Sequence, residues 1–444
     1  MVIARALLGL LFFCFVAWLM SSARRKVDLR VVLIGISMQV LLAVLILKTD
    51  PGRQALDSVS RFATTVLGFG GAGARMVFGD VLTGFAGVPP VPDGAPPEAI
   101  TLYSEYPFQL APDARRGVGI VSFAFKALPT ILYFSAVMAI LYHFGVMQRL
   151  IRGLAWVMQR TLRTSGAESM AMAANVFVGQ TEAPLVVRPY IGRFTRSELM
   201  ALMTGGFATI AGSVLAVYIG VLGEQYAGHL LAASFMSAPA AFVIAKIMVP
   251  ETEAATTAGT VDISLSELSE GEKPVNVLDA AAAGTSDGLK LYLNVIAMLV
   301  AFVALVALIN WMLSALMIGD APLTLERIFG WVFAPVAWMM GVEWSDCQSF
   351  GTLLGTKVAV NEFVAYNALD AMRSTQGAMS ERSVAMAAYA LCGFANFSSI
   401  GIQIGGISPL APERRKDISQ LALRAMLGGA FASWMTATIA GMFL

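Results

Sequence analysis

The sequence predicts an all-α, multi-spanning membrane protein with about eight transmembrane helices and two re-entrant hairpins in an inverted repeat. Three observations carry this expectation. Only 13% of the 444 residues are charged and 57% are hydrophobic, against roughly 25% charged in soluble domains; mean hydropathy is +0.72. In water such a chain would expose more apolar surface than folded proteins tolerate, so its solvent is lipid. Uncharged apolar runs recur at about the 20-residue length that a bilayer core of about 30 Å requires. Finally, GFAT at Gly206–Thr209 returns as GFAN at Gly393–Asn396.

Taken in order, Ala6–Met20 and Val31–Leu47 are short spans flanked by Arg5 and Lys48, whose side chains can snorkel to the interface. The first run has the length of a signal-peptide core, with Ser21, Ser22 and Ala23 resembling a cleavage site. Arg24, Arg25 and Lys26 follow it, however, and by the positive-inside rule they keep it as a helix with its N-terminus outside. Arg61–Val81 is amphipathic and suits either the interface or a loop packed on the bundle. Pro89–Pro112, rich in Pro and Gly, reads as an outside loop. Further spans are expected at Ala127–Met147, Leu199–Leu222, Leu230–Ala245, Leu291–Gly319, Ser383–Ala411 and Ala425–Leu444, with an acidic linker at Glu251–Gly288 on the inside. Placing Arg149, Arg152, Arg160, Arg163, Arg414, Arg415 and Lys416 inside leaves the C-terminus outside. That works only if Met170–Arg193 and Phe350–Asp370 enter and leave on one side as hairpins.

Several function classes are excluded early. A net charge of +1 offers no field for a nucleic-acid backbone. Cys14, Cys347 and Cys392 are scattered through apolar sequence and suggest neither a disulfide framework nor a zinc site. His143 and His229 lie near span ends, outside the polar motifs, and neither GxSxG nor HExxH is present.

Both copies of the tetrapeptide follow a charged segment, GQTEAPL at Gly179–Leu185 and VNEFVAY at Val360–Tyr366. Two halves, each a hairpin followed by a polar-interrupted helix, entering from opposite sides, form the layout of an inverted-repeat transporter. Glu182 and Glu362 stand out because a carboxylate at membrane depth costs a few kcal/mol and usually has a function. Structural pairing, with Arg188 for Glu182 or Lys357 for Glu362, is the alternative. Gln180, Thr181, Asn361, Asn396, Ser398 and Ser399 add groups that both donate and accept hydrogen bonds. The mixture suits an uncharged, polyhydroxylated or heterocyclic solute better than an anion, and Phe394 and Phe397 can stack on a flat ring or simply pack. Pro184, Gly179, Gly205, Gly206 and Gly212 break helices and free carbonyls; with Asn175 and Thr209 they suit a hard monovalent ion such as sodium, or else serve close helix packing.

At NVFVGQTEAPLVVRPY (Asn175–Tyr190), MTGGFATIAGSVLA (Met203–Ala216), VNEFVAY and LCGFANFSSIGIQIGG (Leu391–Gly406) the chain resembles the concentrative nucleoside transporters. The resemblance runs from about Ala127 to the C-terminus, excepting the linker, and it implies nucleoside import driven by a cation through an elevator-like movement of a homotrimer in the inner membrane. By motif position it places Gln180, Thr181 and Glu182 at the nucleobase and Glu362, Asn396 and Ser399 at the ribose, with Val214 and Phe394 as apolar walls. It places sodium on the side chains of Asn175 and Thr209 and the carbonyls of Val178 and Ile210. Thr209 stands where some sodium-coupled members carry serine, and both hydroxyls coordinate.

The resemblance implies a scaffold at 1–148 and 289–325 and a transport domain at 149–250 and 326–444, joined by the linker 251–288. Its partners are nucleosides such as uridine, cytidine or adenosine, membrane lipid and two further copies of the chain, with sodium as coupling ion and no cofactor, catalytic residue or nucleic acid. The intact GQTEAPL stretch favours sodium over the proton coupling of some members. A proton-coupled symporter and a membrane-embedded enzyme acting on nucleosides remain the alternatives.

Overall fold

The computed structural model describes residues 2–82, 129–259, 274–319, 321–374 and 379–444. The loop expected at Pro89–Pro112 and the middle of the expected linker, 260–273, lie outside them. The described chain is almost wholly helical; its strand pairing is a two-residue antiparallel hairpin, Met317–Ile318 with Ala321–Pro322.

Helices α1 (Val2–Leu19) and α2 (Leu29–Lys48) fill the first two apolar runs. Asp28 caps α2 by accepting from Arg30 N at 2.9 Å, and α2 buries Val31, Gly35, Gln39 and Ala43, one residue per turn. The amphipathic stretch Arg61–Val81 belongs to one 33-residue helix, α3 (Asp50–Leu82). The span expected at Ala127–Met147 is not one straight helix. Helices α4 (Thr130–His143) and α5 (Val146–Leu162) meet at a 78° bend. Gly145 at φ +72° makes that turn, a conformation that a side chain disfavours. Helix α5 buries Met147, Ile151, Ala155, Met158 and Leu162 and exposes Arg149, Arg152 and Arg160.

The first hairpin consists of α6 (Gly166–Asn175), a break, and two single turns, α7 (Ala183–Val186) and α8 (Arg188–Ile191), each with proline in its first turn. The span expected at Leu199–Leu222 is divided into α9 (Arg196–Ala208) and α10 (Gly212–Leu222), and α11 (Ala227–Met248) follows. Capping boxes Ser165/Glu168 and Thr195/Glu198 start α6 and α9. Their carboxylates are buried, and Lys246 Nζ stands 2.7 Å from Glu168 Oε2 and donates to Ser197 Oγ at 3.0 Å.

Helix α12 (Val277–Leu313) begins inside the segment expected to be linker, because Asn276 Oδ1 accepts from Asp279 N at 2.9 Å and the alanine-rich run beyond it favours helix. After α13 (Leu325–Met339) the second hairpin is α14 (Cys347–Ala359) with α15 (Glu362–Ser374). The span expected at Ser383–Ala411 is divided into α16 (Glu381–Leu391) and α17 (Phe397–Ile407), and α18 (Arg415–Gly441) closes the chain. Among the described residues two helices are long and apolar enough to cross a membrane by themselves, Leu29–Lys48 and Glu224–Met248. Breaks divide several of the other apolar runs.

Helices α11 and α18 are buried along most of their length and form the centre, packed on each other and on α9. Small residues allow this approach: a Cβ on Gly429 would stand 2.4 Å from that of Phe207. Some buried hydroxyls on both helices are satisfied within their own helix, as in Ser237 to Ala233 O (2.7 Å) and Thr438 to Trp434 O (2.7 Å), whereas Ser234 of α11 donates to Val176 O at 2.8 Å. The first hairpin and the two broken helices rest on this centre, and the second hairpin packs on α10, α13 and α16.

Candidate substrate and ion site

Both broken helices stop beside a hairpin break. Gly212 N donates to Phe177 O at 3.1 Å, tying the break 209–211 to the break 176–182. In the other half Lys357 of α14 donates to Ala390 O (2.8 Å) and Cys392 O (3.3 Å), where α16 ends. Between the breaks lies a cavity of about 840 Å³. A buried non-helical backbone that lines a cavity is the arrangement membranes permit.

All the residues carried over for substrate, Gln180, Thr181, Glu182, Val214, Glu362, Phe394, Asn396 and Ser399, line this cavity. Thr181 and Glu182 are exposed to it, and the Glu182 carboxylate takes a hydrogen bond from the Gly179 backbone. Gln180 is buried and its Oε1 makes no hydrogen bond within the described structure. Glu362 is held from two sides: Tyr218 Oη donates to Oε1 and Asn396 Nδ2 to Oε2, each at 2.8 Å. Asn396 Oδ1 caps α17, accepting from Ser399 N (2.8 Å) and Ser398 Oγ (2.7 Å), while Asn361 Oδ1 accepts from Val364 N at 2.8 Å. Phe134, Met138, Phe177 and Val214 supply an apolar wall. Phe394 lines the cavity, whereas Phe397 is not among its lining residues and is 54% exposed.

Lys357 binds carbonyls instead of making a direct ion pair with Glu362, although its charge acts on that carboxylate. His143 ends α4, and His229 Nδ1 stands 3.2 Å from Tyr389 Oη; neither lines the cavity.

Of the residues carried over for sodium, Val178 lines the cavity, while Asn175, Thr209 and Ile210 are buried behind it. Asn175 Nδ2 lies 3.1 Å from where a Cβ on Gly205 would stand, and Gly205 O accepts from Thr209 Oγ1 at 2.8 Å. Asn175 and Thr209 therefore both adjoin Gly205. Both polar atoms of the Asn175 amide are buried without a hydrogen bond in the described structure. Buried polar atoms are nearly always paired, so this set of neutral oxygens beside freed carbonyls fits a hard cation.

Two participants escaped the sequence reading. Tyr218 holds Glu362 and lies against Tyr366, ring centres 4.4 Å apart and planes tilted by 33°. Gln403 donates to Met203 O at 3.0 Å and abuts Gly206, against which Gln180 also packs. The signal available for Tyr218 and Gln403 was a polar group in an otherwise apolar helix.

A helical fold built around two broken helices and a largely apolar cavity with polar groups at the breaks defines a membrane transporter. Residues 8–81 match the model of the Na+ dependent nucleoside transporter N-terminus, residues 229–441 that of its C-terminus, and residues 124–225 the nucleoside recognition gate. An uncharacterized transporter of Haemophilus influenzae is 42% identical over 449 residues, 100% of this chain and 98% of that protein. Rat sodium/nucleoside cotransporter 1 is 38% identical over 95% of this chain and 61% of its own length. The structure of CNTnw in an inward-facing substrate-bound state shares 40% identity at a TM-score of 0.86, over 100% of this chain and 98% of that one. The chain belongs to the concentrative nucleoside transporter family. It is an integral membrane nucleoside transporter and not an enzyme.

Proposed function

We propose that the protein imports nucleosides together with sodium across the inner membrane, as a homotrimer with both termini outside. Each protomer has about eight spans and two re-entrant hairpins in an inverted repeat, and moves 149–250 with 326–444 as one elevator against a scaffold of 1–148 and 289–325. In this reading Gln180, Thr181 and Glu182 recognise the base, Glu362, Asn396 and Ser399 the ribose, and Val214 and Phe394 flank the ring. The observation that carries it is the held carboxylate of Glu362, fixed by Tyr218 and Asn396 at the cavity wall. A preorganised acceptor suits vicinal hydroxyls, and charge-assisted bonds are about twice as strong as neutral ones.

Sodium on Asn175, Thr209 and the carbonyls of Val178 and Ile210 is supported by the unpaired Asn175 amide. The ion is a second substrate. Bound behind the base subsite, it would fix the hairpin break that carries Gln180 to Glu182, which couples the two ligands. The test is uptake of radiolabelled uridine into proteoliposomes under an imposed sodium or proton gradient. Accumulation driven by sodium alone is expected; accumulation that follows only the proton gradient replaces sodium with a proton carried by Glu182 or Glu362. Uridine should also compete far better than uracil, because a free base leaves the ribose partners unpaired. Equal competition would make the substrate a nucleobase.

A further inference from the structure

Helices α5 (Val146–Leu162) and α13 (Leu325–Met339) stand at the same place in the two halves, each the last long helix before a hairpin. Their outer faces differ. On α5, Arg149, Arg152, Trp156, Arg160 and the C-cap Arg163 recur at steps of three and four residues, which puts them on one stripe, and all five are exposed. The helix contains no acidic residue, and the four guanidinium groups make no hydrogen bond or ion pair among the described residues. Leu150 and Val157, beside the stripe, are exposed as well, while Met147, Ile151 and Met158 on the opposite side are buried. Helix α13 instead exposes Trp331, Val332 and Trp338, and its one basic residue, Arg327, donates to the carbonyls of Pro322 and Ile318.

The 78° bend at Gly145 turns α5 away from the direction of α4. A helix that leaves a crossing segment at such an angle runs along the membrane plane, where an apolar flank enters the acyl boundary and a basic face meets the headgroups. In water alone, like charges along one stripe would repel one another, and the exposed apolar side chains beside them would gain nothing. Arginine suits phosphate because its planar fork donates two parallel N–H bonds.

We infer that α5 is a docking surface for anionic phospholipids: the arginine stripe binds their headgroups while Leu150, Trp156 and Val157 enter the acyl boundary. The contrast with α13 assigns the surface to one leaflet, the inner one in the topology proposed above, where anionic lipid attracts basic segments next to the membrane. It depends on neither the sodium nor the nucleoside reading. Because α5 packs on α6 and Ser165 caps α6 two residues beyond Arg163, the docked helix lies directly before the first hairpin.

The test uses the whole chain reconstituted in mixed bilayers of phosphatidylcholine and phosphatidylglycerol, with one of the two lipids brominated at a time so that it quenches indole fluorescence on contact. The signal of Trp156 is the difference between the wild type and Trp156→Phe. Brominated phosphatidylglycerol should quench Trp156 at a mole fraction about threefold or more below that needed of brominated phosphatidylcholine. Arg149→Gln combined with Arg152→Gln and Arg160→Gln should remove this preference and leave uridine affinity unchanged. Equal quenching by the two lipids in the wild type, or a preference that survives the triple substitution, overturns the inference. If the triple variant is not monodisperse, the wild type decides by salt: the preference should fade at molar ionic strength, and one that persists is not electrostatic and overturns the inference. Inorganic phosphate should not relieve the quenching; relief would mean that the stripe takes a free phosphate group and not a lipid surface.

Discussion

At the first helix break polar groups are buried and left open: both atoms of the Asn175 amide and Gln180 Oε1 make no hydrogen bond. At the second they are closed, with Glu362 held by Tyr218 and Asn396, Asn396 occupied by Ser398 and Ser399, and Lys357 by two carbonyls. The hairpins differ in the same sense. The second limb of the first is two single turns, Ala183–Val186 and Arg188–Ile191, and that of the second is one 13-residue helix, Glu362–Ser374. One half is closed by its own side chains, and in the proposed reading the other is completed by its ligands. An unsatisfied buried polar group costs about 1–3 kcal/mol, so the open half is the one whose stability binding can change.

The largest effect should come from breaking the closed half. Glu362→Gln keeps the shape but removes a charged acceptor worth about 1.5–3 kcal/mol. Uridine affinity measured by calorimetry should fall tenfold or more, and wild-type affinity in a folded variant would remove Glu362 from the site.

The open half is sharpened by its ion. Sodium should raise the thermal midpoint of the wild type and increase uridine affinity by a factor of about 5 to 150, with nucleoside raising sodium affinity by the same factor. Asn175→Ala combined with Thr209→Ala should abolish both responses while leaving a weak, sodium-independent affinity. Identical uridine binding by the wild type in sodium and choline buffers contradicts the ion site.

The two copies of the repeat also use their first glycine differently. Gly393 has φ +119°, and a Cβ there would stand 2.7 Å from Phe207 O. Gly393→Ala should therefore lower stability in thermal melts, by about 1–3 kcal/mol. Gly206 is helical, and its Cβ would meet Gln403 Nε2 at 2.6 Å and Gln180 Cβ at 2.9 Å. Gly206→Ala should displace Gln180 and act on nucleoside affinity more than on melting. The reverse ranking would mean that Gln180 is not part of the binding surface.

Much of this contrast was legible in the residues. Glu182 and Glu362 announced themselves as carboxylates in apolar sequence, and GFAT and GFAN marked the two breaks, because chemistry at membrane depth leaves a local trace. The breaks' extents did not, since an apolar run such as Leu199–Leu222 has the same composition whether or not three residues in it are non-helical. The bend at Gly145 and the early start of α12 were hidden for the same reason. Nor could sequence separate the open half from the closed one. That distinction depends on partners far along the chain: Tyr218 reaches Glu362 across 144 positions, and Lys357 reaches Ala390 across 33.

The smallest effect is expected at the cavity wall that neither repeat supplies. Asp287 and Lys290 of α12 line the cavity and pair at 2.9 Å, with side chains 73% and 74% exposed, and the charge of Asp287 acts on Glu182 across the cavity. An exposed pair at this spacing contributes about 0.3–0.5 kcal/mol and is screened by salt. Asp287→Asn should therefore shift the melting midpoint barely at all. It removes a like charge facing Glu182, so uridine affinity at low ionic strength should change by less than about twofold, and the change should vanish in molar salt. A tenfold change that survives high salt would mean that Asp287 touches the solute. The open half would then be completed from α12 as well as by its ligands, and the contrast between the halves would no longer be a property of the repeat.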